Sequence, residues 1–145
     1  MSQANEMTLA FPADARNEGF ARMVICAFCL ELQPTVSELS DVKTAVSEAV
    51  TNAIVHAYPD GQGQVTLRAR LSGERREMTV EVEDSGRGIE NVEQAMEPFF
   101  TTGPEQERSG MGFAVMRSFM DALEVVSTPG KGTLVRMRKR FGQDA

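Results

Sequence analysis

Apolar residues recur every three or four positions over some stretches of this chain and every second position over others, which predicts helices interleaved with strands. Met7, Leu9 and Phe11 alternate with polar or small neighbours and predict a short edge strand closed by Pro12. From Arg16 to Leu32, Phe20, Met23, Val24, Ala27 and Phe28 keep helical spacing until Pro34 forbids continuation. Thr35 and Glu38 form a capping-box pattern ahead of a second helix, whose stripe is Val42, Ala45, Val46, Ala49, Val50, Ala53 and Ile54 and whose end falls near Ala57, before Pro59. Val65, Leu67, Ala69 and Leu71, a turn at SGERRE, then Met78, Val80 and Val82 up to Asp84 read as a hairpin. A short helical piece near Val92 to Met96 precedes FFTTGPEQERSGMG, which is too long and too rich in Gly, Pro and polar residues for a tight connection and is a candidate lid. A third helix from Phe113 to Leu123 and a second hairpin, Glu124 to Thr128, PGKG, Thr133 to Lys139, complete the chain. One-sided helices and one-sided strands predict an α+β fold, a two-layer α/β sandwich of three main helices on a mixed, mostly antiparallel sheet. Arg136, Arg138, Lys139 and Arg140 read as a solvated strand edge that discourages edge pairing.

Composition narrows this picture. A length of 145 residues, 41% hydrophobic and 25% charged, fits a single domain over 1–145 with an ordinary core. With 15 Lys and Arg against 21 Asp and Glu the formal charge is -6, which argues against direct nucleic-acid binding. No apolar run reaches the roughly 20 residues of a membrane span, and MSQANEMTLAF lacks the basic-then-apolar pattern of a leader, so the expected location is cytoplasmic, away from membranes. Cys26 and Cys29 form a C-x-x-C inside an apolar helical run, where core packing is the expected role rather than zinc or redox chemistry.

Three stretches carry candidate chemistry. In SEAVTNAIVHAY, Glu48, Asn52 and His56 stand four apart and form a polar row beside the apolar stripe of the second helix. Such a row is either a solvated face or the rim of a cleft, in which a glutamate takes a proton and an asparagine oxygen holds Mg2+ whose other ligands are phosphate and water. In EVEDSGRGIE a strand ends on Asp84, with Gly86 and Gly88 beyond it. This is a turn with two positive φ angles, or a carboxylate placed to accept from the exocyclic amine of a ring that glycine lets approach. Ser109-Gly110-Met111-Gly112 opens the third helix, as a plain cap or as free N–H groups for anionic oxygens, and Arg108 precedes it within reach of the same phosphates. Three elements in this order suit the parts of MgATP, and neither a Walker A loop nor the protein-kinase motifs occur.

The same stretches resemble the N, G1 and G2 boxes of the Bergerat-fold ATPases and kinases, the family of gyrase B, Hsp90, MutL and sensor histidine kinases. RNEGFAR, TAVSEAVTNAIVHAY, PFFTT, ERSGMGFAVM and KGT extend the resemblance over almost the whole chain and look like the anti-sigma F factors of sporulation. That resemblance implies a serine protein kinase that binds and inhibits a sporulation sigma factor and phosphorylates its anti-anti-sigma antagonist. It also implies a homodimer in which ATP or ADP decides which partner is held. It matches Glu48 to the acid that activates the substrate hydroxyl, Asn52 to the magnesium ligand and Asp84 to the adenine acceptor. Gly86, Gly88, Gly110 and Gly112 match the box glycines, Thr133 a threonine near adenine, and Arg108 a lid arginine near the γ-phosphate. Thr101, Thr102, Ser109 and Met111 fall in the lid and G2 stretches, and Arg22 matches a partner-contacting arginine. Gly103 departs from the lysine the lid would carry, and YPDGQG is a shorter loop after the N box. Kinases of stress-response sigma factors share most of these motifs. Other readings are a non-catalytic, nucleotide-gated binding module and the ATP-binding domain of a histidine kinase; the latter needs an acceptor histidine, and the sole histidine is His56.

Overall fold

The computed structural model describes residues 4–58, 60–96 and 112–142. Five strands, β1 (Asn5–Pro12), β2 (Gln64–Ser72), β3 (Glu77–Asp84), β4 (Ala122–Thr128) and β5 (Gly132–Arg140), form one sheet in the order β1-β2-β3-β5-β4. Every pairing in it is antiparallel. The helices are α1 (Arg16–Cys29, continued by a 3-10 turn, Leu30–Leu32), α2 (Val36–Val55), α3 (Val92–Ala95) and α4 (Gly112–Phe119). The result is the expected α+β sandwich, with α2 packed between α1 and α4.

Register explains the layering. Leu9, Leu67, Val82 and Val135 stand abreast across β1, β2, β3 and β5, as do Met7, Ala69, Val80 and Met137, and these rows form the sheet side of the core. The predicted stripe of α2 is buried at every one of its positions. The same alternation sends the charged positions to the other face. There Arg68 bonds Glu81 at 3.1 Å and Glu83 at 2.7 Å, and Arg136 bonds Glu81 at 2.7 Å and Glu124 at 2.8 Å, a ladder of alternating charge across β2, β3, β5 and β4.

Three expectations need correction. β5 lies between β3 and β4, so its basic residues do not guard an edge: Arg136 belongs to the ladder, and Lys139 turns inward, 8% exposed, to donate to the Phe119 carbonyl at 2.9 Å at the end of α4. Strand order is a tertiary choice that alternation does not encode. On α1 the buried line is Ala21, Ile25 and Cys29, while Phe20 and Met23 are 55% and 63% exposed. The helix is apolar on more than one side, and the small Ala21 belongs to the side that is buried against the rest of the core. The third helix ends at Phe119, not Leu123, because Asp121 N–H already donates to Arg138 O at 2.8 Å and commits the chain to β4. Cys29 is buried and Cys26 half-buried, and burial pushes both thiols up, Cys29 to about 11, which fits packing and leaves little thiolate.

The capping box forms as the sequence predicts: Thr35 Oγ1 accepts from Glu38 N–H at 3.0 Å and Glu38 Oε1 from Thr35 N–H at 2.9 Å. Glu38 Oε2 also accepts from Gly142 N–H at 2.7 Å and so ties the C-terminal end of the sheet to the start of α2. Burial pushes this carboxyl up, but the Thr35 and Gly142 bonds and nearby Lys139 outweigh it and hold it below the ordinary value. A depressed folded pKa contributes stability that is present above the unfolded pKa, near 4.5, and lost as pH falls through the folded value. Glu38→Gln, which keeps one acceptor and points an amide donor at one of these two N–H groups, should cost about 1–3 kcal/mol in urea unfolding at pH 7, with the deficit shrinking at acid pH.

Candidate functional site

The row that continues Val82 and Val135 toward the end of the sheet is not apolar. Val65, Asp84, Thr133 and Ser127 stand abreast on β2, β3, β5 and β4, so Asp84 occupies the last inward-facing position of its strand. Asp84 is therefore 8% exposed, and burial raises its pKa, opposed by hydrogen bonds from the backbone N–H groups of Gly86, at 2.9 Å to Oδ1, and Thr133. It opens into a cavity of about 540 Å³, within the range of small-molecule sites. One wall is α2, through Ala49, Asn52, Ala53, His56 and Ala57; the floor is Val82, Asp84, Thr133 and Val135; the rim is 87–91, with Gln94, Ala95, Pro129 and Gly130. Gly112 and Phe113, at the start of α4, close the far side.

Asn52, Asp84, Gly88, Gly112 and Thr133 are thus brought together at one cavity. Glu48 lies a turn earlier on α2, half-buried beside Asn52 rather than in the lining. A Cβ at residue 112 would fall 3.1 Å from Asn52 Nδ2 and 3.4 Å from both Asn52 Oδ1 and Glu48 Oε1, so α4 begins directly against both side chains and a glycine keeps that space open. The Asn52 carboxamide oxygen is a neutral hard donor at this point of the cavity and fits the one protein ligand that Mg2+ needs when phosphate and water supply the rest. Arg22 stands apart on α1, its Nε 3.7 Å from Glu18 Oε2. Thr101, Thr102, Arg108, Ser109, Gly110 and Met111, together with Gly103, lie outside the described residues.

The glycines are needed for a reason the sequence left open. A Cβ at Gly86 would fall 2.2 Å from the Ala57 carbonyl oxygen, and one at Gly88, where φ is +76°, would fall 2.4 Å from the Thr128 carbonyl oxygen. The close neighbour is the protein's own backbone at both positions, and only Gly88 requires a positive φ. These contacts accompany hydrogen bonds from Arg87 N–H to Ala57 O at 3.0 Å and from Gly130 N–H to Arg87 O at 2.8 Å, which dock the loop after Asp84 between α2 and the β4–β5 turn.

Sequence reasoning passed over several contributors. Gly132, read as part of the PGKG turn and of the KGT stretch but given no role of its own, would place a Cβ 2.1 Å from the Asp84 carbonyl oxygen. Ser127 Oγ accepts from Ile89 N–H at 2.7 Å and shares a 2.8 Å hydrogen bond with Thr133 Oγ1, joining the rim to the floor. Asn91 lines the rim and caps α3 by accepting from Gln94 N–H at 2.9 Å, an N-x-x-Q signal that was available in the sequence. Among the described residues no cluster of three or more His, Cys, Asp or Glu is placed to hold a metal by itself, and no helix is long and apolar enough to cross a membrane.

Comparison with known proteins bears on the same residues. A model of the histidine kinase-like ATPase domain matches residues 11–139. The anti-sigma F factors of Thermoanaerobacter sp. (strain X514) and of Caldanaerobacter subterraneus subsp. tengcongensis are each 56% identical to this chain over 144 residues, 99% of either chain. That of Clostridium acetobutylicum is 56% identical over 137 residues, 94% of either chain. Among solved structures, the RsbU and RsbW domains of a Mycobacterium tuberculosis protein superpose with a TM-score of 0.67 at 19% identity. The match covers 94% of this chain and 32% of that one, and it shows likeness of fold.

Proposed function

Because this chain belongs to the anti-sigma F factor family and carries a histidine kinase-like ATPase domain, we propose that it binds MgATP in the α2–sheet cavity, phosphorylates a serine of an anti-anti-sigma antagonist, and sequesters a sporulation sigma factor. The observation that carries this reading is the pairing of a buried carboxylate, Asp84, with the Asn52 carboxamide across one cavity of nucleotide size. Gly86 and Thr133 leave lone pairs of the Asp84 carboxylate for the 6-amine of adenine, and Ala49, Ala53, Val82 and Val135 give the ring apolar surfaces. The start of α4 at Gly112 turns N–H groups toward the phosphates, with Ser109, Gly110 and Met111 just before it and Arg108, Thr101 and Thr102 in the stretch ahead.

Mg2+ held by Asn52 supplies neutralising charge to the phosphates when bound. Glu48, beside Asn52, orients the serine hydroxyl and takes its proton. Arg108 balances charge on the transferring group. Phosphate adds about two negative charges to the antagonist and weakens its hold, which frees the clamp for the sigma factor. The active form on this reading is a homodimer, with ATP or ADP setting the choice of partner and Arg22 contributing to the contact. Incubation with γ-labelled ATP, Mg2+ and the antagonist tests it: an acid-stable phosphoserine on the antagonist is expected. An acid-labile product, or none, would overturn the serine-kinase assignment.

A further inference from the structure

Tyr58 follows the last turn of α2 and lies outside the cavity lining. Its ring covers Gly63 so closely that a Cβ there would fall 2.2 Å from Tyr58 Cε1. Its hydroxyl donates to Gln64 O at 2.7 Å and accepts from Ser85 N–H at 2.7 Å. Gln64 begins β2, Val65 after it pairs with Asp84, and Ser85 is the first residue beyond the end of β3 at Asp84. A single oxygen therefore joins the end of α2, the start of β2 and the residue after the buried carboxylate.

We infer that Tyr58 is a positioning residue for base recognition: its hydroxyl fixes the direction in which the chain leaves β3 and thereby the aim of the Asp84 carboxylate. This rests on the reading of the cavity as an ATP site in which Asp84 faces the adenine amine. The hydroxyl is separable from the fold. Ser85 is exposed, so water can take over its N–H when the oxygen is removed, and the ring that packs on Gly63 stays. Water satisfies a donor but does not hold an angle, so the loss falls on the aim of the carboxylate. A ligand with no amine at that position has little to lose.

The test is Tyr58→Phe in the full chain, titrated with ATP and with inosine triphosphate, which carries an oxygen in place of the 6-amine, and melted without nucleotide. Affinity for ATP should fall roughly fivefold to twentyfold, the cost of one poorly aimed hydrogen bond, while affinity for inosine triphosphate changes by less than about twofold. The preference for ATP contracts accordingly, and the melting temperature moves by no more than about 3 °C. An equal loss for both nucleotides, no loss for either, or a drop in melting temperature large enough to account for the change would assign Tyr58 to the fold alone and overturn the inference. The wild type is titrated first: if it binds the two nucleotides equally, Asp84 does not read the amine, and the site reading fails before Tyr58 is judged.

Discussion

Glu48→Ala should leave ATP bound with near wild-type affinity and lower phosphoryl transfer to the antagonist by about 10²–10⁴-fold, the usual contribution of a positioned proton acceptor. Glu48 lies outside the cavity lining but one turn from Asn52, with Oε1 3.4 Å from the position a Cβ would take at Gly112. Truncation there removes an oxygen from the place where hydroxyl and phosphate would meet and leaves Asp84 and Thr133 untouched. Single-turnover transfer and equilibrium ATP titration, measured on the same preparation, separate the two effects. Retained transfer would reassign the proton. A wild type that captures its partners in an ATP-dependent way but transfers nothing would favour the non-catalytic, nucleotide-gated module instead.

Asp84→Asn is expected to act at the other end of the cavity. An asparagine keeps one acceptor, and the Gly86 and Thr133 N–H groups compete for it, so an amide donor is left facing the adenine amine. ATP binding should weaken by roughly 1–3 kcal/mol, about fivefold to 150-fold in the dissociation constant. Stability should depend on pH. Burial raises the folded pKa of Asp84 above the ordinary aspartate value of 3.8, so the fold holds this proton more tightly than the unfolded chain does. The advantage is complete below the unfolded pKa and is lost as pH rises through the folded one, above which an ionised carboxylate sits in a dry place. The asparagine has no charge to bury but leaves one backbone N–H without its acceptor, so the melting temperature of the nucleotide-free variant should gain on that of wild type as pH rises from about 4 toward neutrality, whatever the offset between them at acid pH. A variant that loses ATP affinity and shows no such gain with pH would mean that Asp84 chiefly holds its loop together.

Much of this arrangement was legible in the sequence because local chemistry and tertiary demand agree. α2 announces its start by the capping box and its buried side by seven spaced apolar positions, and the cavity residues stood out as a polar row beside that stripe, for Asn52, and as a carboxylate ending a strand, for Asp84. The rest depended on partners distant in the chain. Nothing local to α1 tells Ile25 from Met23, since both are apolar and only the approach of α2 selects between them. The place of β5 inside the sheet is fixed by its pairing with β3, some fifty residues earlier, so Arg136 could be read as part of a solvated strand edge although it is bound on two sides. Gly86 and Gly132 were visible as glycines, but what crowds them, the Ala57 and Asp84 carbonyls, belongs to other elements. Tyr58 and Ser127 act through single oxygens that reach across the chain, and no periodicity marks such a bond.

One consequence of α2 concerns length. Glu48, Asn52 and His56 share a side because they are four residues apart, and the span from Glu48 to His56, the C-cap of the helix, is about 12 Å at 1.5 Å per residue. On the ATP reading, the helix is a measuring rod with one mark for the purine end and one for the reacting end of the same molecule. Inserting a single alanine between Ala49 and Ala53 would turn everything beyond it by about 100°, so the marks could no longer face the same guest while most of the rod stayed helical. Side chains along it can be exchanged one at a time, but its residue count between those marks cannot change.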